Sequence, residues 1–87
     1  MPKIDFKHFR VFTDISQKET KEMDVSFKFA DMLYKKRDGI MAHDLALRIY
    51  KSKDQVEFTQ EELDELKPFV NTYFTPLFID SFTANIQ

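Results

Sequence analysis

The feature that most constrains the fold is a supply of ten phenylalanine side chains in an 87-residue chain that has no cysteine. Without cysteine no disulfide can stabilise the domain, so its stability must come from packing of apolar side chains. The length suits one small domain, and residues 1–87 are predicted to form it. Most of the phenylalanines are therefore expected to lie in one core.

The same composition excludes several classes of function. A single glycine rules out a glycine-rich phosphate-binding loop, and the lack of cysteine rules out thiol catalysis, zinc ribbons and iron–sulfur clusters. No window approaches the roughly 20 apolar residues of a membrane-spanning helix, and the first residues lack the apolar run of a secretory signal. The formal net charge of -2 gives no overall attraction to nucleic acid or to an anionic membrane. We expect a soluble, cytoplasmic protein without a cofactor or metal.

The N-terminal part of the chain alternates in the manner of β-strands, so residues of alternate parity fall on opposite faces. Phe9, Val11 and Ile15 share one face. Ile4, Phe6 and Phe12 share the other. The polar segment 16–19 is typical of a turn, and residues 20–25 resemble a returning strand. The sequence predicts a β-hairpin over about residues 4–25.

Helical spacing of apolar residues dominates from residue 26 onward. The first helix is predicted over about 26–37, with Ser26 as its N-cap, Phe27, Leu33 and Tyr34 on its apolar stripe, and Gly39 as its C-terminal stop. The second is predicted over about 42–52. A single extended rung at 56–58 separates it from the third helix.

Two further helix starts carry explicit capping signals. Thr59 followed by Glu62 forms a capping box, the strongest local signal in the chain. Thr75 followed by Pro76 repeats the pattern of a cap and a proline at the first helical position. Pro68 is expected to kink or restart the third helix. The predicted fold class is α+β and mainly helical: an N-terminal hairpin followed by three to four short helices packed on one face, with the helical part over about 26–86.

Catalytic and metal-binding patterns are sparse. If residues 51–62 formed an EF-hand loop, Lys51 and Lys53 would occupy positions where calcium needs carboxylate ligands. Neither His8 nor His43 has a second ligand at a metal-binding spacing. No nucleophile elbow exists in a chain with one glycine. We therefore expect a protein that is not an enzyme.

The hairpin supplies the main functional hypothesis. A two-stranded sheet covered by helices on one side leaves its second face, with Ile4, Phe6 and Phe12, without obvious cover. Either a terminal segment folds over these side chains, or they form an interface, since contiguous exposed apolar surface often marks a partner site. The unpaired edges of the hairpin could also add strands from another copy or a partner. The sequence predicts a small interaction or assembly module that self-associates or binds a protein partner through the hairpin.

The alternative hypothesis is an accessory nucleic-acid-binding protein that uses the basic side of the first two helices. The residues concerned are Lys35, Lys36, Arg37, Arg48 and Lys51. Cations in such a patch would neutralise backbone phosphates. A helix-turn-helix mode is disfavoured because the would-be recognition helix carries Glu61, Glu62 and Asp64.

Overall fold

The computed structural model describes residues 2–87, which form short strands and helices in the order β1-β2-β3-α1-α2-β4-α3-α4. The strands are β1 (Lys3–Asp5), β2 (Phe9–Phe12), β3 (Thr20–Met23) and β4 (Gln55–Glu57). The helices are α1 (Ser26–Lys36), α2 (Ile40–Tyr50), α3 (Gln60–Tyr73) and α4 (Pro76–Asn85). The predicted class, α+β and mainly helical, is confirmed.

The strands form two separate antiparallel pairs rather than one long hairpin. β2 pairs with β3, with Phe9 opposite Met23 and Phe12 opposite Thr20. β1 pairs with β4, and Ile4 lies opposite Val56. Residue 87 lies along the other edge of β1: Lys3 and Gln87 exchange two backbone hydrogen bonds of 3.1 and 2.9 Å. The chain ends are thus joined to the middle of the sequence.

A turn at residues 6–8 breaks the predicted first strand. One carboxylate oxygen of Asp5 accepts hydrogen bonds from the backbone amides of Lys7 and His8, both at 3.0 Å. Aspartate commonly stabilises a turn in this way. The strand alternation restarts after the turn, so residues of both parities face the same core.

The turn places Ile4 and Phe6 in the core rather than on an uncovered face. Both are completely buried, as is Phe9, which was predicted to lie on the opposite face. The carbonyl of Phe6 also accepts a hydrogen bond of 2.8 Å from the amide of Val25. Ile4 and Phe6 are therefore core residues and are not available as interface residues in the monomer.

The polar side chains of α4 line the outer edge of β2. The amide of Phe12 donates to the Ser81 hydroxyl (3.0 Å), and the side chain of Asn85 bonds the amide (3.1 Å) and carbonyl (2.7 Å) of Arg10. Phe12 is half-buried. Ile15, predicted to share the inner face with Phe9, is 96% exposed, because β2 ends at Phe12 and a turn follows.

The predicted limits of α1 are confirmed to within a residue, but its cap and its buried face differ from the prediction. Ser26 belongs to the helix, and its amide and hydroxyl both donate to Asp24 (2.9 and 2.6 Å). Phe29 is buried with Leu33. The predicted stripe residues Phe27 and Tyr34 are instead exposed, since the core contacts the adjacent arc of the helix.

Gly39 does not act as the C-terminal stop of α1 that the sequence predicted. It has a φ of 100° and lies at the N-cap of α2, whereas Arg37, in an extended conformation, caps α1. Its carbonyl accepts from the amide of His43 at 3.2 Å. The glycine therefore makes the sharp reversal between the helices, and α2 begins two residues earlier than predicted.

Both predicted caps in the C-terminal half are confirmed. Thr59 and Glu62 form the reciprocal capping box, with distances of 3.1 and 2.9 Å. The hydroxyl of Thr75 accepts from the amide of Phe78, and Pro76 is the first residue of α4. Of the two alternatives predicted at Pro68, a kink or a restart, the restart is wrong: α3 continues to Tyr73. Pro68 lies on the exposed side of the helix, where water can bond the carbonyl that lacks its amide partner.

Phe29 occupies the centre of the core. Its ring stacks on or tilts against the rings of Phe6 (4.9 Å between centroids), Phe74 (5.4 Å) and Phe82 (5.9 Å). It meets Phe69 edge to face at 5.6 Å. These rings come from the turn after β1, from α3, from the α3–α4 connection and from α4, so one side chain on α1 links most of the fold.

The burial of Phe6 leads to a direct test. Phe6→Ala should lower the free energy of unfolding by about 3–5 kcal/mol, the usual cost of truncating a fully buried phenylalanine. Phe12→Ala, at a half-buried position, should cost clearly less. Urea denaturation followed by circular dichroism measures both. Equal losses for the two variants would contradict the broken-strand arrangement.

Candidate functional site

Helices α1 and α2 form an antiparallel pair. The ring of Phe27, near the start of α1, lies 6.0 Å from that of Tyr50 at the end of α2. At the opposite end of the pair, Tyr34 lies 5.4 Å from His43. Two aromatic contacts therefore bracket the seam between the helices on its outer side.

A groove runs along this seam, and we call it the α1–α2 groove. It has a volume of about 170 Å³ and is lined by Phe27, Tyr34, Leu47 and Tyr50 above a floor of Ala30 and Ala46. The two alanines are buried, whereas Phe27, Tyr34 and Tyr50 are 61%, 54% and 52% exposed. Small side chains on facing helices leave space between them, and the large side chains on either side deepen it.

The groove exists because the apolar arc of each helix is wider than the core can cover. On α1 the core covers Phe29 and Leu33 and leaves Phe27 and Tyr34 outside. On α2 it covers Leu45 and Ile49 but leaves Tyr50 outside. The uncovered parts of the two arcs face each other across the seam.

Asp31 is the charged residue among those that line the groove. It forms an ion pair of 3.0 Å with Lys35, one helical turn further along α1. His43 lies 3.8 Å from Asp44. Because Asp31 is paired with Lys35 and the other lining side chains are apolar or aromatic, the groove is suited to an apolar group rather than to an ion.

The predicted basic residues do not form one patch. Lys35, Lys36 and Arg37 lie at the end of α1, while Lys51 follows the last residue of α2. In an antiparallel pair these positions are at opposite ends, and an 11-residue helix is roughly 16 Å long. Ion pairing further reduces the free positive charge.

Two of the five cations bind carboxylates of α3. Arg48 binds Glu62 through two hydrogen bonds of 3.0 and 2.9 Å, and Arg37 lies 3.2 Å from Glu65. The acidic face of α3 thus neutralises cations that the nucleic-acid hypothesis required. This arrangement joins α3 to the α1–α2 pair.

The pKa shifts belong to structural groups. Hydrogen bonds from Arg48 hold the pKa of Glu62 below its ordinary value, and the same contact raises the pKa of Arg48. Hydrogen bonds from Ser26 lower the pKa of Asp24, and those from Ser16 lower that of Asp14. Each of these carboxylates accepts hydrogen bonds at a helix start or a turn.

Between residues 2 and 87, no three histidine or acidic side chains come together in a way that could hold a metal ion. His8 lies 3.1 Å from Asp5, but its side chain is exposed and its partner belongs to the turn at residues 6–8. Over the same residues, no helix has the length and apolar character needed to cross a lipid bilayer.

Comparison with known proteins finds no match: no protein-family model, no curated protein and no solved structure matches the chain. Its function must therefore be argued from its own geometry.

The groove was not predicted from the sequence, because Phe27 and Tyr34 were assigned to a core-facing stripe. A signal was nevertheless present. Buried positions 29 and 33 and exposed positions 27 and 34 are all aromatic or aliphatic, an arc wider than one packing contact requires. Assigning the surplus to the outer side required knowledge of which arc meets the core.

The contact between Arg48 and Glu62 can be tested by substitution of Glu62 and by the pH dependence of the free energy of unfolding. Glu62→Ala removes both the ion pair and half of the capping box and should cost about 1–2 kcal/mol at pH 7. Glu62→Gln should cost less, because glutamine can also complete a capping box.

The direction of the pH dependence follows from the lowered pKa of Glu62. The stabilisation is complete above the ordinary value of about 4.5 and is lost as the pH falls through the lower folded value. The advantage of the wild type over Glu62→Gln should therefore be constant near neutral pH and shrink in acid. Urea titrations of both proteins between pH 7 and pH 3 measure it, and an advantage independent of pH would contradict the assignment.

Proposed function

We propose that this chain is a small protein-interaction module that binds an apolar segment of a protein partner in the α1–α2 groove. The observation that carries the proposal is the set of half-exposed aromatic side chains around a floor of two alanines. Aromatic residues are enriched where proteins bind each other, and an anchor in a pocket often dominates the binding energy.

The dimensions of the groove favour one anchoring side chain. A cavity of about 150 Å³ lined by apolar residues is large enough to bind benzene, and the α1–α2 groove has a volume of about 170 Å³. It would accept one phenylalanine or leucine side chain of the partner. The alanine floor lets this side chain approach the helix backbones closely.

The area of the groove favours a short segment over a second folded domain. An aromatic side chain buries about 150–250 Å² in total, so half-exposed rings offer a few hundred Å² at most. A standard stable interface needs about 800 Å² from each partner. An amphipathic helix laid in the groove, with its anchors three or four residues apart, fits this smaller area.

The proposed function is still protein interaction, as predicted from the sequence, but the proposed binding surface is the α1–α2 groove instead of the hairpin. The hypothesis based on the hairpin relied on Ile4, Phe6 and Phe12, of which Ile4 and Phe6 are in the core and Phe12 is half-buried. The groove takes their place as the exposed apolar surface. The proposed role is binding rather than catalysis, and the proposed compartment is the cytoplasm, since the core is built without disulfide bonds.

A displayed library of amphipathic helical peptides tests the proposal. Peptides selected on the wild type should share one phenylalanine or leucine anchor flanked at helical spacing by further apolar residues. Their affinity should fall at least about tenfold for the Phe27→Ala/Tyr50→Ala double variant, because truncating an interface anchor typically costs more than 1 kcal/mol. Fluorescence anisotropy with a labelled peptide measures the affinity.

Tyr73→Ala is the matched control, since Tyr73 is a half-exposed aromatic residue on α3 that does not line the groove. Its affinity for the selected peptides should equal that of the wild type. Peptides that bind the double variant as tightly as the wild type, or that lose affinity only with Tyr73→Ala, would overturn the proposed docking surface. Unfolding curves of all three proteins verify that they remain folded.

A further inference from the structure

The outer edge of β3 is a strand edge that the fold leaves open. The side chains of Ser81 and Asn85 bond the outer edge of β2, and Gln87 bonds that of β1. All four residues of β3 are exposed. Among the described residues, no side chain or loop backbone donates to or accepts from the outward amides and carbonyls of β3.

The hydrogen-bond pattern identifies which backbone groups point outward. The backbone amides of Arg10 and Phe12 point toward α4. Because backbone groups alternate along a strand, those of Phe9 and Val11 point toward β3. Their partners Met23 and Lys21 therefore use their backbone groups within the hairpin. Thr20 and Glu22 alternate with them and present their backbone groups to solvent.

The charges alternate in sign along the start of β3 and the two residues that precede it. Residues 18–22 are Lys-Glu-Thr-Lys-Glu. Suppose that two copies of this segment pair in antiparallel orientation with their Thr20 residues opposite each other. Lys18 of one copy then lies opposite Glu22 of the other, and Glu19 lies opposite Lys21. The symmetry repeats both pairs, so every charged residue of the segment faces the opposite charge.

We propose that two copies of this chain associate through antiparallel pairing of their β3 edges, centred on Thr20, which converts two hairpins into a four-stranded sheet. Residues that present outward backbone groups must pair with each other. The centre at Thr20 satisfies this condition, because Thr20 meets its own copy and Glu22 meets Lys18.

Charge selects this register over its neighbours. Centring the pair on Lys21 places two lysines directly opposite each other, and centring it on Glu22 places two glutamates opposite each other. Like charges directly across a strand pair are destabilising. None of the four charged residues forms an ion pair within residues 2–87, so all are free to pair between copies.

Self-association lies beyond the peptide-binding role proposed for the groove and uses a different surface. The groove is lined by α1 and α2, whereas the pairing edge belongs to the β2–β3 hairpin. A dimer formed in this way would carry two grooves. Two grooves on one particle raise the apparent affinity for a partner with two binding segments.

The register can be tested by cross-linking, because the chain has no cysteine of its own. In the proposed dimer the two Thr20 Cα atoms face each other at about 5.5 Å, a separation that a disulfide can bridge. Thr20→Cys should therefore form a covalent dimer under mild oxidation. Glu22→Cys is the control, since its own copies lie four residues out of register, about 13 Å along the strand.

The expected result is that Thr20→Cys cross-links at least about tenfold faster than Glu22→Cys, as disulfide formation requires close Cα atoms. Equal rates, or faster cross-linking of Glu22→Cys or of Lys21→Cys, would overturn the register. Non-reducing electrophoresis over time measures the rates.

Substitutions that reverse the charge of individual residues test the association without introducing a cysteine. Lys21→Glu should weaken dimerisation at least about tenfold at low salt, since it places two glutamates opposite each other in both symmetry-related pairs. Glu19→Lys/Lys21→Glu should restore it. Lys28→Glu, the same charge change at an exposed site on α1, should leave it unchanged.

Sedimentation equilibrium over a range of protein concentrations, at about 20 mM and about 500 mM salt, measures the dimer dissociation constant under weak and strong screening. A wild type that remains monomeric to about 1 mM, the concentration at which even weak pairing becomes populated, would overturn the proposal. Failure of the double variant to recover, or an equal loss in Lys28→Glu, would overturn it as well. None of these outcomes bears on peptide binding in the groove, so the two proposals stand or fall separately.

Discussion

The ring of Phe29 lies where α1, α3, α4 and the turn after β1 converge, and the rest of the structure depends on its packing. Its neighbours Phe6, Phe69, Phe74 and Phe82 come from distant parts of the chain. A domain of this size buries a limited fraction of its surface, so large aromatic side chains supply much of its apolar burial. The orientation of α1 that brings Phe29 inward also turns Phe27 and Tyr34 outward. The groove is therefore a consequence of the core.

Most local signals predicted the fold well, although Ser26 and Gly39 do not have their predicted capping roles. The capping box at Thr59 and Glu62 and the cap at Thr75 depend on residues a few positions apart, and the structure confirms both. The α+β, mainly helical class and the limits of α1 followed from periodicity in the same way. These features need no knowledge of what lies across the core.

Features set by tertiary contacts were not predictable in this way. The alternation from Ile4 to Phe12 indicated one strand, but the Asp5 carboxylate closes a turn that changes which side chains face inward. The pairing of β1 with β4 joins residues about fifty positions apart, and no local pattern specifies it. Likewise, the apolar arc of α1 is wide enough for two orientations, and one of them is selected by the packing of Phe29 on rings from other elements, Phe6 and Phe82 among them. For the same reason the burial of Ile4 and Phe6 was not predicted, since it depends on the turn and on contacts with distant elements.

The central claim is that the aromatic side chains divide into a core around Phe29 and an exposed set around the α1–α2 groove. Solvent paramagnetic relaxation enhancement of the aromatic ring protons measures this division directly in the folded protein. The account predicts strong enhancement for Phe27, Tyr34 and Tyr50 and weak enhancement for Phe6, Phe29 and Phe69, which are buried. Enhancement of Phe6 equal to that of Phe27, or protection of Phe27 and Tyr50 in the monomer, would contradict it.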